Sequence, residues 1–142
     1  MIIEELKDTA NVKFVAFKKK EWIYADKEHY GDTPHNLTKH EYTYVARENE
    51  NIVGAIDILI DTGVVSIESL LVAQDAQRRG IGTLLVKKVE EEAKKHNCHK
   101  IWIITGFNWS AKKLYESFGY TPRCILPKYF DGKDFVILDK EI

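Results

Sequence analysis

The residues Gln77-Arg78-Arg79-Gly80-Ile81-Gly82 stand between a β-like run, Ser66 to Val72, and a helix-like run from Ile81 to His96. A chain that passes through Gly-x-Gly straight into a helix exposes bare backbone at the helix's first turn. There the N–H groups lack intrahelical partners and carry partial positive charge. Such a junction suits a phosphate or pyrophosphate. Glycines also serve tight turns and close packing of helix on strand, so the surroundings must choose between these uses. The dinucleotide-binding fingerprint would need a glycine where Leu85 stands, and a P-loop would need Gly-Lys-Ser/Thr, which is missing here.

Hydrophobic periodicity places the loop in a β-then-mixed order. From Glu41 the period is two, with Tyr42, Tyr44 and Ala46 on one face. Asn49-Glu50-Asn51 turns the chain into Ile52 to Ile60, and Asp61-Thr62-Gly63 turns it into Val64 to Val72. Three β runs joined by short turns predict an antiparallel meander. In the helix that follows, Ile81, Leu85, Val89 and Ala93 form a stripe that Leu84 widens, with Lys87, Lys88, Glu91 and Glu92 opposite. Asn97 suits the left-handed position after it. Lys100 to Thr105 reads as a buried strand. Ser110 reads as the cap of a helix with Ala111, Leu114, Tyr115 and Phe118 on one face, ending at Gly119, and Tyr120 to Leu126 and Asp134 to Leu138 read as two more strands. Nearer the N-terminus, Val12 to Phe17 alternates around Phe14 and Ala16 as a first strand does, Met1 to Leu6 reads as another short one, and Lys18 to His40 reads as helical pieces broken at Gly31-Asp32-Thr33-Pro34.

A chain of 142 residues fits one domain, 1–142, able to bury a core unaided. A formal net charge of -1 gives no bulk attraction to nucleic acid or to an anionic membrane, and runs such as Lys18-Lys19-Lys20 and Lys94-Lys95 are ordinary solvated surface. Cys98 and Cys124 provide no disulfide framework, and no signal sequence or long apolar span is evident, so a cytoplasmic setting is expected. His96, Cys98 and His99 cluster, but neighbouring ligands at a helix end rarely close a tetrahedral site alone, and no metal is expected.

The loop fits the Gln/Arg-x-x-Gly-x-Gly/Ala pattern of the GCN5-related N-acetyltransferases. The likeness extends upstream to Leu70-Leu71-Val72 and downstream to Asn108-x-x-Ala111-x-x-x-Tyr115-x-x-x-Gly119-Tyr120. The stretch Tyr129 to Leu138 also resembles the family's closing hairpin. The chain therefore resembles that superfamily. The resemblance implies its α/β (α+β) fold: a mixed central sheet with an antiparallel N-terminal meander, a splayed parallel strand pair and flanking helices. It further implies transfer of an acetyl group from acetyl-CoA to a primary amine of a small molecule or peptide, and a homodimer through the C-terminal strands.

Each chemical task then has a candidate. Gln77, Arg78, Arg79, Gly80, Ile81, Gly82 and Thr83 would hold the pyrophosphate, with solvation as the commoner role of the two arginine side chains. By resemblance, Leu70, Leu71 and Val72 form the strand edge that pairs with the peptide-like pantetheine arm, and the Leu70 amide polarises the thioester carbonyl. All three can equally be plain core strand. An alkylamine has a pKa of roughly 10.4 and needs a base at neutral pH. Glu68, two residues before Leu70, shares its face if no bulge intervenes, and is the candidate base, directly or through water. Its alternative is a surface or ion-paired carboxylate. Tyr115 is the proton donor that the resemblance implies for the departing thiolate, although spacing alone makes it a core aromatic. Asn108, by the same likeness, binds the cofactor arm or ties the splayed strands, and otherwise is a turn residue.

Departures from the pattern matter too. Ribosomal-protein N-terminal acetyltransferases carry a glutamate on the strand before the asparagine, where this chain reads Ile103-Ile104-Thr105, so that subclass and its base are not expected. Trp109 is bulkier than the usual residue after the asparagine. Cys124 reads as a small buried thiol and not as a nucleophile. Tyr129 and Phe130, with the aromatic and histidine residues between Trp22 and His40, suggest a lined acceptor cleft. A non-catalytic acyl-CoA-binding module is the alternative function.

Overall fold

A computed structural model describes residues 1–32 and 39–142. The turn expected at Thr33-Pro34 and part of the expected Trp22–His40 cleft lie outside the described residues. Contacts divide the chain into two compact units, Met1–His35 and Asn36–Ile142.

In the first unit the expected strand at Val12–Phe17 is instead the start of a helix, α1 (Val12–Tyr30). Local capping decides this. The Asn11 side chain accepts from the N–H groups of Lys13 and Phe14, and Gly31 ends the helix at φ 71° while its N–H donates to the Lys27 carbonyl. Six residues of alternation cannot outweigh a capped run of 19 residues in which Phe14 and Ala16 are equally compatible with helix. Met1–Leu6 forms no strand.

The second unit is a six-stranded mixed sheet of β1 (His40–Glu48), β2 (Asn51–Asp61), β3 (Val64–Val72), β4 (Lys100–Gly106), β5 (Thr121–Phe130) and β6 (Lys133–Glu141) in the order β1-β2-β3-β4-β6-β5. The meander β1-β2-β3 is antiparallel, and β3 and β4 are the parallel pair. After a short 3-10 turn come α2 (Ile81–Lys95), between β3 and β4, and α3 (Ser110–Ser117), between β4 and β5. Isoleucines 56, 58 and 60 of β2, Val65 and Ile67 of β3, Ile101 and Ile103 of β4 and Leu138 of β6 are buried with Leu85, Val89 and Ala93 of α2. At roughly 1.5–3 kcal/mol for each fully buried aliphatic side chain, this layer dominates the stability of the unit.

Three local readings change in the packed structure. Leu84 does not widen the α2 stripe; it is exposed, and Val86 is buried on the other flank. Lys88 and Glu92 leave the solvent face: Glu92 is buried, Lys88 Nζ lies 2.9 Å from its carboxylate, and that hydrogen bond holds Glu92 below the usual carboxylate range. The Tyr44 phenol, on β1, is pushed up to about 12, first by burial and then by Glu92. Ser110 is the first residue of α3 and Trp109 is its cap position, with no side-chain capping bond.

A β-bulge sets the geometry of the site. Ile58 pairs with Ile67 and Asp57 with Ser69, so Glu68 is the extra residue of β3. Before it, odd-numbered Val65 and Ile67 face α2; after it, even-numbered Leu70 and Val72 take over that face. The bend also ends the parallel ladder, whose last pair is Ser66↔Trp102, while β4 continues against β6 as far as Gly106↔Phe135. The upper halves of β3 and β4 therefore splay apart.

Candidate active site

A cavity of about 450 Å³ opens on the helix side of the splay, lined by Leu70, Val72, Gln77, Arg78, Gly80, Ile81, Gly82, Thr83, Ser110, Ala111 and Leu114. One wall is the start of α2. Gly80 takes φ 81° as the N-cap, a conformation that favours glycine, and no side chain caps the first turn. Gly82 makes room: a Cβ there would lie 3.2 Å from Leu114 Cδ2.

The opposite wall is backbone. The Ala73 N–H donates to the Val53 carbonyl at 2.9 Å, and polar groups alternate along an antiparallel ladder. Leu71 therefore turns its N–H and C=O toward β2, and Leu70 and Val72 turn theirs into the gap. Gln77 Nε2 donates to the Val72 carbonyl at 3.5 Å, which agrees with that direction. An uncapped helix N-terminus beside an unpaired strand edge fits a pyrophosphate followed by an amide-bearing arm.

The other expected residues fall as follows. Leu71 is 67% exposed and lies outside the cavity. Arg79 is held by the Glu48 carboxylate of β1, whereas Arg78 lines the cavity. Asn108 sits exposed in the turn before α3 and does not line it. Glu68 is exposed, and the bulge sends its side chain away from that of Leu70, to the opposite sheet face. There a second cavity of about 390 Å³ holds it with Ser66, Trp102 and Ile104. The shared face expected for Glu68 and Leu70 is thus overturned by the bulge. Beside it Asp57 accepts from Thr43 Oγ1 at 2.5 Å and from Ser69 Oγ, and these bonds, Ser69 first, hold its carboxyl below the usual range.

Tyr115 is fully buried, and its hydroxyl has no hydrogen-bond partner among the described residues. Ala111, one turn before it, lines the cavity, whereas Tyr115 itself is not among the lining residues of this cavity or of the one beside Glu68. A buried hydroxyl without a partner costs about 1–3 kcal/mol, which marks the position as more than core filling. Tyr120 meets it edge-on at 5.5 Å between ring centroids and is also unpartnered. Burial pushes both phenols well above their usual range, so both are neutral through the working range of pH.

That shift has a stability consequence. Below about pH 10 the two phenols are neutral in folded and unfolded chains alike; above it the unfolded chain ionises first, and stability falls as pH rises toward the folded values. Urea midpoints at about pH 9 and about pH 11 should therefore differ less in Tyr120→Phe than in the parent.

Ser110, Ala111 and Leu114 line the cavity although periodicity assigned them to a cap and a core stripe. The spacing Ala111-x-x-x-Tyr115 was their one sequence signal. Cys124 is exposed and not buried, because edge strand β5 is covered on one side only by β6; Cys98 is the buried thiol, and burial pushes it up. His96, Cys98 and His99 diverge: His96 lies tilted against Tyr42 at 5.3 Å between ring centroids, Cys98 enters the core, and His99 lies against Gly63. Among the described residues no three His, Cys, Asp or Glu side chains gather as a metal requires, and no helix is long and apolar enough to cross a membrane.

The sequence pattern of the Acetyltransferase (GNAT) family matches residues 3–120. An uncharacterised N-acetyltransferase of Methanocaldococcus jannaschii is 36% identical over 101 residues, 69% of this chain and 65% of that protein, so the chain spans just under two thirds of that relative's length. Among solved structures, an acetyltransferase from Bacillus cereus superposes with a TM-score of 0.80 over 100% of this chain and 98% of its own, at 19% identity. A GNAT family acetyltransferase from Elizabethkingia anophelis with acetyl-CoA bound gives 0.67 at 26% identity, over 72% of this chain and 76% of its own.

Proposed function

We propose that this chain, which belongs to the Acetyltransferase (GNAT) family, moves an acetyl group from acetyl-CoA to a primary amine by direct attack in a ternary complex. The observation that carries this reading is the cavity itself, with the uncapped start of α2 on one side and the free edge of Leu70 and Val72 on the other. Its support by likeness is the Elizabethkingia anophelis protein with acetyl-CoA bound. When bound, that co-substrate supplies a thioester as acyl donor.

The chain's own groups take the following roles in this reading. Amides at the start of α2 and the Arg78 side chain bind the pyrophosphate, and the gap-facing groups of Leu70 and Val72 pair with the pantetheine amides. The Leu70 N–H, which faces the gap, would be the donor for the negative charge that gathers on the thioester carbonyl oxygen. Glu68, from the opposite face of the sheet, takes the proton that the attacking ammonium must lose. As the new C–N bond forms and the C–S bond breaks, Tyr115 gives its proton to the departing sulfur; the acylated nitrogen sheds its second proton to solvent, and solvent returns one to Tyr115.

Free-thiol release from acetyl-CoA, screened against polyamines, aminoglycosides, amino acids, arylalkylamines and peptide N-termini, tests the reading. Binding of acetyl-CoA without thiol release for any amine would instead indicate a binding module. The cavity assignment has its own test in Gly82→Val, whose added methyls fill the space toward Leu114 and Val72. Loss of one hydrogen bond to an ionised phosphate is worth about 1.5–3 kcal/mol, so the KM for acetyl-CoA should rise about tenfold or more with little change in kcat.

A further inference from the structure

The sheet face turned away from α2 and α3 carries a group of rings that the donor cavity does not use. Alternation puts Trp102, Ile104 and Gly106 of β4 on that face together with Phe135 and Ile137 of β6. Trp109 folds back over the end of β4, since a Cβ on Gly106 would lie 2.4 Å from its indole. Its ring meets Phe135 edge-on at 5.3 Å between centroids, and Tyr129 and Phe130 meet the same ring at 5.6 Å and 6.1 Å. Phe135 is buried at the centre, yet Trp109, Tyr129 and Phe130 stay 56%, 55% and 68% exposed. Three large rings held in fixed contact and left half in water form a preset apolar platform.

The platform adjoins the site on both arms of the splay. Trp109 is followed directly by Ser110, which lines the donor cavity. Across the gap, Glu68 shares its cavity with Ile104. From Ile104 to Gly106, under the platform, is two residues of strand, or about 7 Å. That is roughly the span of an amine, a short alkyl link and an aromatic ring. The charges nearby are balanced: Asp61, in the same cavity as Glu68, pairs with Lys39 at 3.4 Å, Lys112 pairs with Glu116 at 2.8 Å, and Asp131 and Asp134 offset Lys128 and Lys133 at the β5–β6 turn, so the rings and not a charge are what distinguish acceptors there.

We propose that the acceptor is an arylalkylamine, its amine directed to Glu68 and its ring seated on Trp109, Tyr129 and Phe130. This rests on the acetyl-transfer reading and names the substrate class for it. The test compares kcat/KM for 2-phenylethylamine, butylamine and spermidine with acetyl-CoA as donor. The aryl amine should lead both others by about tenfold or more, the size of a well-formed aromatic contact plus apolar burial. Phe130→Ala, at a position 68% exposed, and Trp109→Leu, each checked for an unchanged melting temperature, should raise the KM for 2-phenylethylamine and erase its lead, with the KM for acetyl-CoA unmoved. Equal or better use of spermidine or butylamine, or a lead that survives both substitutions, overturns the proposal while leaving acetyl transfer intact. Transfer to no amine at all overturns both.

Discussion

Tyr115→Phe is expected to lower kcat about 10²-fold, the lower end of what a positioned general acid contributes, with the KM for acetyl-CoA unchanged. The fold should not suffer. Replacing a fully buried hydroxyl that has no partner removes a polar group already at a loss, so the variant should melt at the same temperature as the parent or higher. The two readouts move apart only if the hydroxyl serves the reaction. A core tyrosine with a satisfied hydroxyl would lose stability, and one without a role would lose neither. Burial holds this phenol above its usual range, so the parent's activity should show no alkaline decline from Tyr115 below about pH 10. A kcat within twofold of the parent's would remove Tyr115 from the proposed mechanism.

Glu68→Gln is the second large effect. A carboxylate that accepts the acceptor's proton contributes about 10²–10⁴-fold, and the amide retains its shape without its basicity. At neutral pH kcat/KM should fall about 10²-fold, and the remaining rate should climb with pH toward the amine's own value of roughly 10.4 as free base becomes available. Glu68 is exposed and forms no ion pair among the described residues, so its stability change should be small and the kinetic loss unambiguous. Asp57, on the same face, is held by Thr43 and Ser69 in its ionised form and is a poorer proton acceptor; Asp57→Asn should cost less activity than Glu68→Gln. The reverse order would transfer the base role to Asp57.

Much of the fold was legible because it is written in short-range periodicity. The period-two runs from Glu41 to Val72, the stripe of Ile81, Leu85, Val89 and Ala93, and the apolar Lys100–Thr105 strand all formed within a residue or two of the expected limits. Val12–Phe17 was misread because its alternation also suits a helix, and the Asn11 cap is a stronger local signal than five apolar positions. The helix-side cavity was legible for a related reason. Its parts are backbone N–H groups and glycines, and their placement depends on the order of elements and not on side-chain direction.

Side-chain direction was not legible. Glu68 and Leu70 stand two apart in the chain and would share a face in a regular strand, but the extra residue opposite Asp57 and Ile58 separates them. A bulge is a property of two paired strands, and the sequence of β3 alone does not announce it. The same holds for Arg79, drawn to Glu48 from 31 positions away in the chain, and for Cys124, left uncovered because β5 is an edge. The aromatic platform likewise brings together Trp109 from the turn before α3 with Tyr129, Phe130 and Phe135 from the last hairpin.

The sequence by itself determined a strand that runs through Gly80 and Gly82 into a helix, because glycine permissiveness and apolar period are local properties that no distant contact has to supply. Only the tertiary structure decided that β3 leaves β4 after Ser66, that Leu70 and Val72 face the resulting gap, and that Glu68 approaches it from the far side. Strand pairing, and not the strand, fixes where the ladder ends and which way each side chain points.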